Sequence, residues 1–262
     1  MNNQPIGIFD SGVGGTSIWK EINELLPNED TIYLADSKNA PYGEKSKEQI
    51  VKLSVKNTEI LLNHGCKLIV VACNTATTNA IDFLRKNYDV PFIGIEPAIK
   101  PAALNSISKR VGILATKGTL SSSLFHSTSG NHARGIKIIE QVGTGLVPLI
   151  ENDKINTPET RILLKKYLKP MLESRIDYLV LGCTHYPYLI PVLRELLPEH
   201  VKIIDSGEAV ARQTKVVLVE NDLLASSKNN GKHQFFTNSD VVILGNFLKD
   251  VKKPYQAQYL DF

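Results

Sequence analysis

"LIVVACNTATTNA" occupies residues 68–80, and "YLVLGCTHYPYLI" at residues 178–190 repeats its outline. Each stretch begins with an apolar run, reaches a cysteine and then turns polar. A short run of Val, Ile and Leu that ends in polar residues is typical of a buried strand in a parallel sheet. The pattern therefore predicts two similar strands, with Cys73 and Cys183 at their carboxyl ends.

Comparable strand patterns surround both stretches. The first series reads "PIGIFD", "DTIYLAD", "KLIVVACN" and "PFIGIE", and the second reads "RVGILAT", "IKIIEQV", "DYLVLGCT" and "VKIIDS". Amphipathic segments separate the strands in both series, as expected for a parallel sheet with crossover helices. Because the landmarks of the two series fall in register with near-equal spacings, the simplest interpretation is a duplicated α/β unit.

The predicted fold is α/β, with two pseudo-symmetric doubly wound domains that each contain a mainly parallel sheet. We expect residues 1–97 and 207–262 to form the first domain and residues 98–206 to form the second. The last segment combines a helix pattern, a Lys/Asn/Gly-rich linker and further strand patterns, and we expect it to complete the first domain. Ligands of open parallel sheets bind beyond the carboxyl ends of the strands. The active site is therefore expected in the cleft between the domains.

Composition excludes several classes of protein. The chain has 262 residues, of which 42% are hydrophobic and 22% are charged, and this balance excludes a disordered or fibrous chain. The opening "MNNQP" lacks the basic start and apolar middle of a secretory signal. No apolar run approaches the roughly 20 residues that span a bilayer. We expect a cytoplasmic protein without a membrane partner.

Charge and ligand spacing argue against nucleic acids and metals. The net charge of +3 comes from scattered lysines, and those in "GEKSKEQIVKLSVKN" fall mostly between the apolar positions of a helix. Such spacing favours a solvated helix face over a nucleic-acid patch. The three cysteines form no CxxC pair and the six histidines show no clustered spacing. We therefore expect neither a disulfide framework nor a metal site.

The two strand-end cysteines suggest proton-transfer chemistry. A lone cysteine in such a place is more often a small buried apolar residue, and Cys66 in "HGCKLIV" fits that interpretation. Cys73 and Cys183 differ from it because polar residues follow each at once and because they occur as a pair. A thiol has an ordinary pKa of about 8.5, which nearby donors or cations lower. One thiolate could take a proton from one face of a carbon while a thiol delivers a proton to the other face.

Two side chains break the duplicated pattern beside these cysteines. Asp10 ends the first strand where the second repeat has Ala115, and His185 follows Cys183 where the first repeat has Thr75. We predict that Asp10 assists one cysteine and His185 the other. The alternative is that the carboxylate caps a turn and that the imidazole is a satisfied buried group. Ser11 and Thr116 coincide when the repeats are overlaid, and they could bind opposite ends of a substrate.

A dinucleotide-dependent oxidoreductase is the alternative from a different class. "DSGVGGTS" gives GxGxxS from Gly12, and Asp36 ends the second strand about 20 residues on, where a ribose-binding acid would stand. The last glycine of that fingerprint is missing, and the pair of cysteines is left unexplained. The turn "NAPYG", residues 39–43, follows the second strand and could border the cleft.

The motifs "GIFDSGVGG", "NAPYG", "VVACNTATT", "IGIEPAIKPA" and "LGCTHYP", in this order, resemble the glutamate racemases of the aspartate/glutamate racemase superfamily. The resemblance runs from about residue 6 to residue 207. It implies an isomerase that interconverts L- and D-glutamate without a cofactor and supplies D-glutamate for peptidoglycan. Aspartate racemase of the same superfamily is the nearest competitor, and a non-catalytic amino-acid sensor would need the same cleft.

The resemblance also implies roles for individual residues. Cys73 and Cys183 are the two bases, Asp10 and His185 assist them, and Glu151 in "VPLIEND" matches a family glutamate near the second cysteine. The implied substrate contacts are Asp10, Ser11, Pro41, Tyr42, Gly43, Asn74, Thr75, Thr116, Thr119 and Thr184. Family members commonly have "CP" before "LVPLVE", where this chain reads "VGTGLVPLIE". The sequence leaves a homodimer open.

Overall fold

The computed structural model describes residues 4–132, 135–226 and 230–262. Residues 1–3 of the opening segment and residues 227–229 of the polar linker discussed above lie outside the described residues. Within the described ranges, no helix is long and apolar enough to cross a membrane.

Two sheets organise the described chain, and every strand pair in both is parallel. The six-stranded sheet has the order β10-β9-β2-β1-β3-β4, and the four-stranded sheet has the order β6-β5-β7-β8. The strands are β1 (Ile6–Asp10), β2 (Thr31–Ala35), β3 (Leu68–Val71), β4 (Phe92–Gly94), β5 (Arg110–Ala115), β6 (Lys137–Val142), β7 (Tyr178–Gly182), β8 (Lys202–Ile204), β9 (His233–Thr237) and β10 (Tyr255–Tyr259).

The same strand order occurs in both sheets. The run β2-β1-β3-β4 of the first sheet corresponds to β6-β5-β7-β8 of the second. This equivalence confirms the predicted α/β fold with two pseudo-symmetric, doubly wound units. In each sheet the chain reverses its direction of winding between the first and third strands of the unit, and ligands bind at such a switch point. Asp10 and Cys73 flank this point in one sheet, and Thr116 and Cys183 flank it in the other.

Helices cover the sheets and connect the strands. They are α1 (Thr16–Leu25), α2 (Lys47–Asn63), α3 (Asn74–Asn87), α4 (Ile99–Asn105), α5 (Lys117–Leu120), α6 (Ser123–His132), α7 (Leu146–Glu151), α8 (Pro158–Glu173), α9 (Ile190–Leu196), α10 (Gly207–Glu220) and α11 (Val241–Asn246). Their boundaries follow local chemistry. Ser46 and Gln49 form a reciprocal capping box at the start of α2, which satisfies two backbone donors.

The core explains why the strand sequences are continuously apolar. Alternate side chains of β3 enter opposite layers, with Leu68 and Val70 in one cluster and Ile69 and Val71 in the other. All four are fully buried. Burial of a side chain of this size stabilises the fold by about 1.5–3 kcal/mol. Since both faces of the strand are covered, its polar neighbours are confined to its ends, where they can form a site.

The tail of the chain extends the first sheet. Helix α10 packs against α1, and β9 pairs with β2 while β10 pairs with β9. The register places Thr237, the last residue of β9, opposite Ala35 at the end of β2. As a result, the residues that follow β9 lie beside the loop that follows β2.

Candidate active site

Both predicted cysteines line one small cavity. Cys73 follows β3 of the first sheet and Cys183 follows β7 of the second, and their exposed fractions are 4% and 7%. The cavity is lined by Ser11, Pro41, Tyr42, Gly43, Cys73, Asn74, Thr75, Thr116, Val147, Cys183, Thr184 and His185. Residues that follow the carboxyl ends of strands from both sheets therefore line the same cavity.

Three of the predicted residues, Asp10, Glu151 and Thr119, lie just behind the cavity wall. Thr184 donates a hydrogen bond to Oδ1 of Asp10 at 3.2 Å. Glu151 is held against His185, and the hydroxyl of Thr119 lies 3.3 Å from that of Thr75. The structure thus brings all the predicted site residues together, eleven at the surface of the cavity and these three in contact with that surface.

The surroundings of Cys73 favour its neutral thiol. This residue is the N-cap of α3, and its sulfur accepts a hydrogen bond from the backbone N–H of Ala76 at 3.4 Å. Burial raises the pKa of the thiol well above its usual value, and the nearby charge of Asp10 raises it further. The helix N-terminus and its N–H act in the opposite direction. The net effect of these surroundings favours the protonated form of the Cys73 sulfur.

The surroundings of Cys183 are of opposite charge. His185 Nδ1 lies 3.8 Å from Sγ of Cys183, and Nε2 of the same ring lies 2.5 Å from Oε1 of Glu151. Burial opposes a charged imidazole, but hydrogen bonds to Cys183 and Glu151 raise the pKa of His185 well above its usual value. A protonated His185 places positive charge beside Sγ of Cys183. The two thiols thus meet different electrostatic environments.

Asp10 is fully buried at the end of β1. Burial raises its pKa from 3.8 to about 6, although the charge of His185 and a hydrogen bond from the Gly15 N–H lower it. That N–H donates to Oδ2 at 2.8 Å. A carboxyl group with such a pKa can both hold and release a proton near neutral pH.

The glycine-rich loop after β1 packs tightly against the second half of the chain. A Cβ added to Gly12 would lie 1.9 Å from Oε1 of Glu151, and one added to Gly14 would lie 2.3 Å from Nδ1 of His185. Real Cβ atoms essentially never approach so closely. Glycine at these two positions thus leaves the room that the His185–Glu151 pair occupies.

Several polar groups at the cavity are available to a ligand. Both side-chain polar atoms of Asn74 are buried, and neither has a hydrogen-bond partner in the described part of the chain. The hydroxyls of Thr75 and Thr116 lie 2.7 Å apart, and those of Thr116 and Thr119 lie 3.0 Å apart. Buried polar atoms without a partner are costly. Asn74 therefore offers both an amide donor and an acceptor beside this cavity.

Ser37 and Val13 are site residues that the sequence patterns did not identify. The Ser37 hydroxyl donates to Oε2 of Glu151 at 2.8 Å, and the Val13 N–H donates to Oε1 at 2.7 Å. Ser37 follows the end of β2, and this strand-end position was a signal that could have identified it. Nothing in a side chain signals a backbone donor such as that of Val13.

Glu151 reaches this position through a short helix. Gly145 precedes α7 with a φ of 83°, a left-handed conformation that favours glycine, and α7 then ends at Glu151.

No group of three or more His, Cys, Asp or Glu side chains within residues 4–132, 135–226 and 230–262 is arranged to hold a metal ion. The polar side chains of the candidate site are thiol, imidazole, carboxylate, amide and hydroxyl groups.

Known proteins resemble the chain over nearly its whole length. A glutamate racemase of Herpetosiphon aurantiacus is 44% identical over 240 residues, which cover 92% of this chain and 94% of that protein. The crystal structure of a glutamate racemase isoform from Bacillus anthracis has a TM-score of 0.89 at 30% identity, and the match covers 100% of this chain and 99% of that one. Escherichia coli glutamate racemase in complex with L-glutamate and the activator UDP-MurNAc-Ala has a TM-score of 0.86 at 35% identity, with 98% of each chain covered.

The family model described as Asp/Glu/hydantoin racemase matches residues 6–214. This range contains both cysteines and each of the other predicted site residues. The chain belongs to the Asp/Glu/hydantoin racemase family, and within it to the glutamate racemases.

Proposed function

We propose that this chain interconverts L- and D-glutamate without a cofactor, by proton transfer between the substrate α-carbon and the sulfur atoms of Cys73 and Cys183. The observation that carries the proposal is the placement of the two cysteines after equivalent strands of two sheets and at one shared cavity. Inversion of a stereocentre by proton transfer requires acid/base groups on opposite faces of the carbon, and a duplicated fold provides such a pair.

Each turnover removes one proton from the substrate α-carbon and adds one proton to it. One sulfur, as the thiolate, takes the α-proton: an S–H bond forms, the C–H bond breaks and the electron pair stays on the substrate. The other sulfur, as the thiol, gives its proton to the opposite face: a C–H bond forms and this sulfur is left as the thiolate. The roles are exchanged for the reverse reaction. We assign Asp10 to assist Cys73, while His185, held by Glu151, assists Cys183.

The carbanion is the most demanding species on this path. The α-proton of an amino acid is weakly acidic, so the negative charge must be stabilised by hydrogen-bond donors that are already in place. The start of α3 beside Cys73 and the hydroxyls of Thr75 and Thr116 at the cavity surface supply such donors. Since thiolates are poorly matched to such a weak acid, tight positioning and exclusion of water supply much of the rate.

Substrate contacts follow from the family motifs and from the cavity. We propose that Asp10, Ser11, Asn74, Thr75 and Thr184 contact the substrate. The set is completed by Pro41, Tyr42, Gly43, Thr116 and Thr119. The unpartnered amide of Asn74 supports this assignment, because a bound polar group would remove the cost of its burial.

The remaining proposals concern the setting of the enzyme. We propose domains at residues 1–97 with 207–262 and at 98–206, and the pairing of β9 with β2 supports the return of the tail to the first domain. D-Glutamate made by a cytoplasmic enzyme would enter peptidoglycan synthesis. A homodimer is compatible with this role, and sedimentation of the purified chain would test it.

A racemase assay tests the function directly. Purified protein is incubated with L-glutamate, and separately with L-aspartate, without added cofactor, while circular dichroism follows the loss of optical activity. We expect the signal of L-glutamate to decay to zero and that of L-aspartate to persist. Preferential decay with L-aspartate would indicate an aspartate racemase. Persistence of both signals would contradict the proposal, and stabilisation by NAD or NADP alone would then favour an oxidoreductase.

A further inference from the structure

The segment of residues 36–44, here called the active-site loop, is organised around one buried carboxylate. Asp36 is fully buried at the end of β2. The hydroxyl of Tyr42 donates to its Oδ2 at 2.5 Å, and Nδ2 of Asn39 donates to its Oδ1 at 2.8 Å. Lys56 is the cation beside it, with Nζ 3.4 Å from Oδ1. The shape of the loop that presents Tyr42 and Gly43 to the cavity therefore depends on how this carboxylate is held.

Asn238 completes the environment of Asp36 from the tail of the chain. Its Nδ2 donates to Oδ1 of Asp36 at 2.6 Å and to the carbonyl oxygen of Phe262 at 3.0 Å, while its Oδ1 accepts the Lys38 N–H at 2.9 Å. The side chain is buried, with 3% of its surface exposed. The amide of Asn238 thus connects the carboxylate of Asp36, the backbone N–H of Lys38 and the carbonyl oxygen of Phe262.

The strand register explains why this residue is in reach. Thr237 pairs with Ala35 in the parallel ladder of β9 and β2, so the next residues of both strands, Asn238 and Asp36, leave the sheet side by side. Asn238 lies beyond residue 214, where the match to the family model ends. The tail therefore contributes directly to a loop that borders the catalytic cavity.

The chemistry of the position requires an amide. A buried carboxylate is tolerated when donors satisfy it, and the loop N–H of Lys38 needs an acceptor. Asparagine supplies two donors and one acceptor from a single short side chain. Alanine would remove all three bonds, whereas aspartate would keep the acceptor and place a second negative charge against Asp36.

We infer that Asn238 is a positioning residue for the active-site loop: through Asp36 and Lys38 it holds Tyr42 and Gly43 in the conformation that binds substrate. The inference rests on the proposed function in one respect, which is that this loop contacts glutamate. Asn238 does not line the cavity. Its effect on turnover is therefore expected through substrate binding.

The test compares Asn238→Ala with a control at the other end of the same strand pair. Thr31 accepts a buried hydrogen bond from Nε1 of Trp19 at 2.8 Å and pairs with His233, so Thr31→Val removes buried polar contacts far from the loop. We expect Asn238→Ala to raise the KM for glutamate by about tenfold, the change that corresponds to loss of one buried hydrogen bond to a charged group. Its kcat should stay within about twofold of the unsubstituted value, and Thr31→Val should leave KM unchanged.

Amide hydrogen exchange provides a readout that does not need turnover. The amides of residues 36–44 should exchange faster in Asn238→Ala than in Thr31→Val, at matched thermal stability. If the alanine variant fails to fold, Asn238→Asp is measured by the same two criteria. An unchanged KM together with unchanged loop exchange, or equal changes in the Thr31→Val control, would overturn the inference. Absence of racemisation by the unsubstituted chain would instead refute the proposed function, and loop exchange alone would then decide the role of Asn238.

Discussion

His185 Nε2 lies 2.5 Å from Oε1 of Glu151, and the same carboxylate accepts hydrogen bonds from Ser37 and from the Val13 N–H. Glu151 and His185 follow strands of the four-stranded sheet, whereas Ser37 and Val13 follow strands of the six-stranded sheet. The Glu151 carboxylate therefore favours the charged form of the imidazole beside Cys183. Its hydrogen bonds also connect the two halves of the chain beside the cavity.

Glu151→Gln should change the pH dependence of turnover. Glu151 helps to raise the pKa of His185, while burial acts in the opposite direction. With the charge removed, burial and the Cys183 hydrogen bond remain while the attraction of Glu151 is lost, so the imidazolium loses its proton at lower pH. We expect the alkaline limb of the kcat–pH profile to move to lower pH. Ser37→Ala keeps the charge of Glu151 and serves as the control, and identical shifts in both variants would contradict this assignment.

Asp10→Asn should stabilise the fold while it impairs catalysis. The pKa of Asp10 rises from 3.8 to about 6 on folding, mainly because the group is buried. The folded protein thus holds the proton more tightly between these values, and its stability falls as pH rises through this window. Asparagine does not ionise, so the variant does not lose stability in this window. The free energy of unfolding of Asp10→Asn at neutral pH should therefore exceed that of the unsubstituted protein by up to about 3 kcal/mol.

Urea unfolding at two pH values checks this prediction. The stability difference between Asp10→Asn and the unsubstituted protein should be large at neutral pH and close to zero below about pH 4, where the carboxyl group is protonated in both states. A difference that is independent of pH would show that the substitution acts through packing rather than through the proton of Asp10.

Substrate entry should require the two halves of the chain to separate. Cys73 and Cys183 are 4% and 7% exposed, and the hydroxyls of Thr75 and Thr116, which both line the cavity, lie 2.7 Å apart. We expect small-angle scattering to give a larger radius of gyration for the free protein than for the protein saturated with glutamate. Superimposable scattering curves for the two states would contradict closure on binding.

A buried ion pair far from the cavity should affect stability alone. Nζ of Lys67 lies 2.6 Å from Oε2 of Glu29, and their side chains are 1% and 2% exposed. Lys67→Met leaves a buried carboxylate without its cation and should lower the free energy of unfolding by about 3–5 kcal/mol, as measured with urea. The KM for glutamate should not change. A loss below about 1 kcal/mol would be typical of a surface pair and would contradict this expectation.

The sequence predicted the elements that depend on local pattern. The apolar run that ends at Cys73 and its counterpart at Cys183 carry the strand signal, and their repetition predicted two equivalent sheets. Asp10 and His185 were identified because they break that repetition. The strand and sheet predictions are confirmed, because parallel strands buried on both faces are continuously apolar and leave polar residues only at their ends.

Contacts that depend on long-range register could not be predicted in this way. Ser37 reaches Glu151 only because the two halves meet face to face, and Asn238 reaches Asp36 only because β9 pairs with β2. Glu151 was identified through family resemblance rather than through its own pattern. Its position depends on the turn at Gly145 that starts α7.

In the two-thiol mechanism, one sulfur removes the α-proton of glutamate and the other replaces it from the opposite face. Racemisation of L-glutamate in D₂O measures this directly when it is followed by NMR and circular dichroism for the unsubstituted protein, Cys73→Ser, Cys183→Ser and the control Cys66→Ala. We predict that D-glutamate formed by the unsubstituted protein and by the Cys66 variant carries deuterium at the α-carbon. Both serine variants should remain folded and lose at least about 1,000-fold in turnover. Product that keeps its original α-proton, or near-normal turnover by either serine variant, would contradict the two-thiol mechanism.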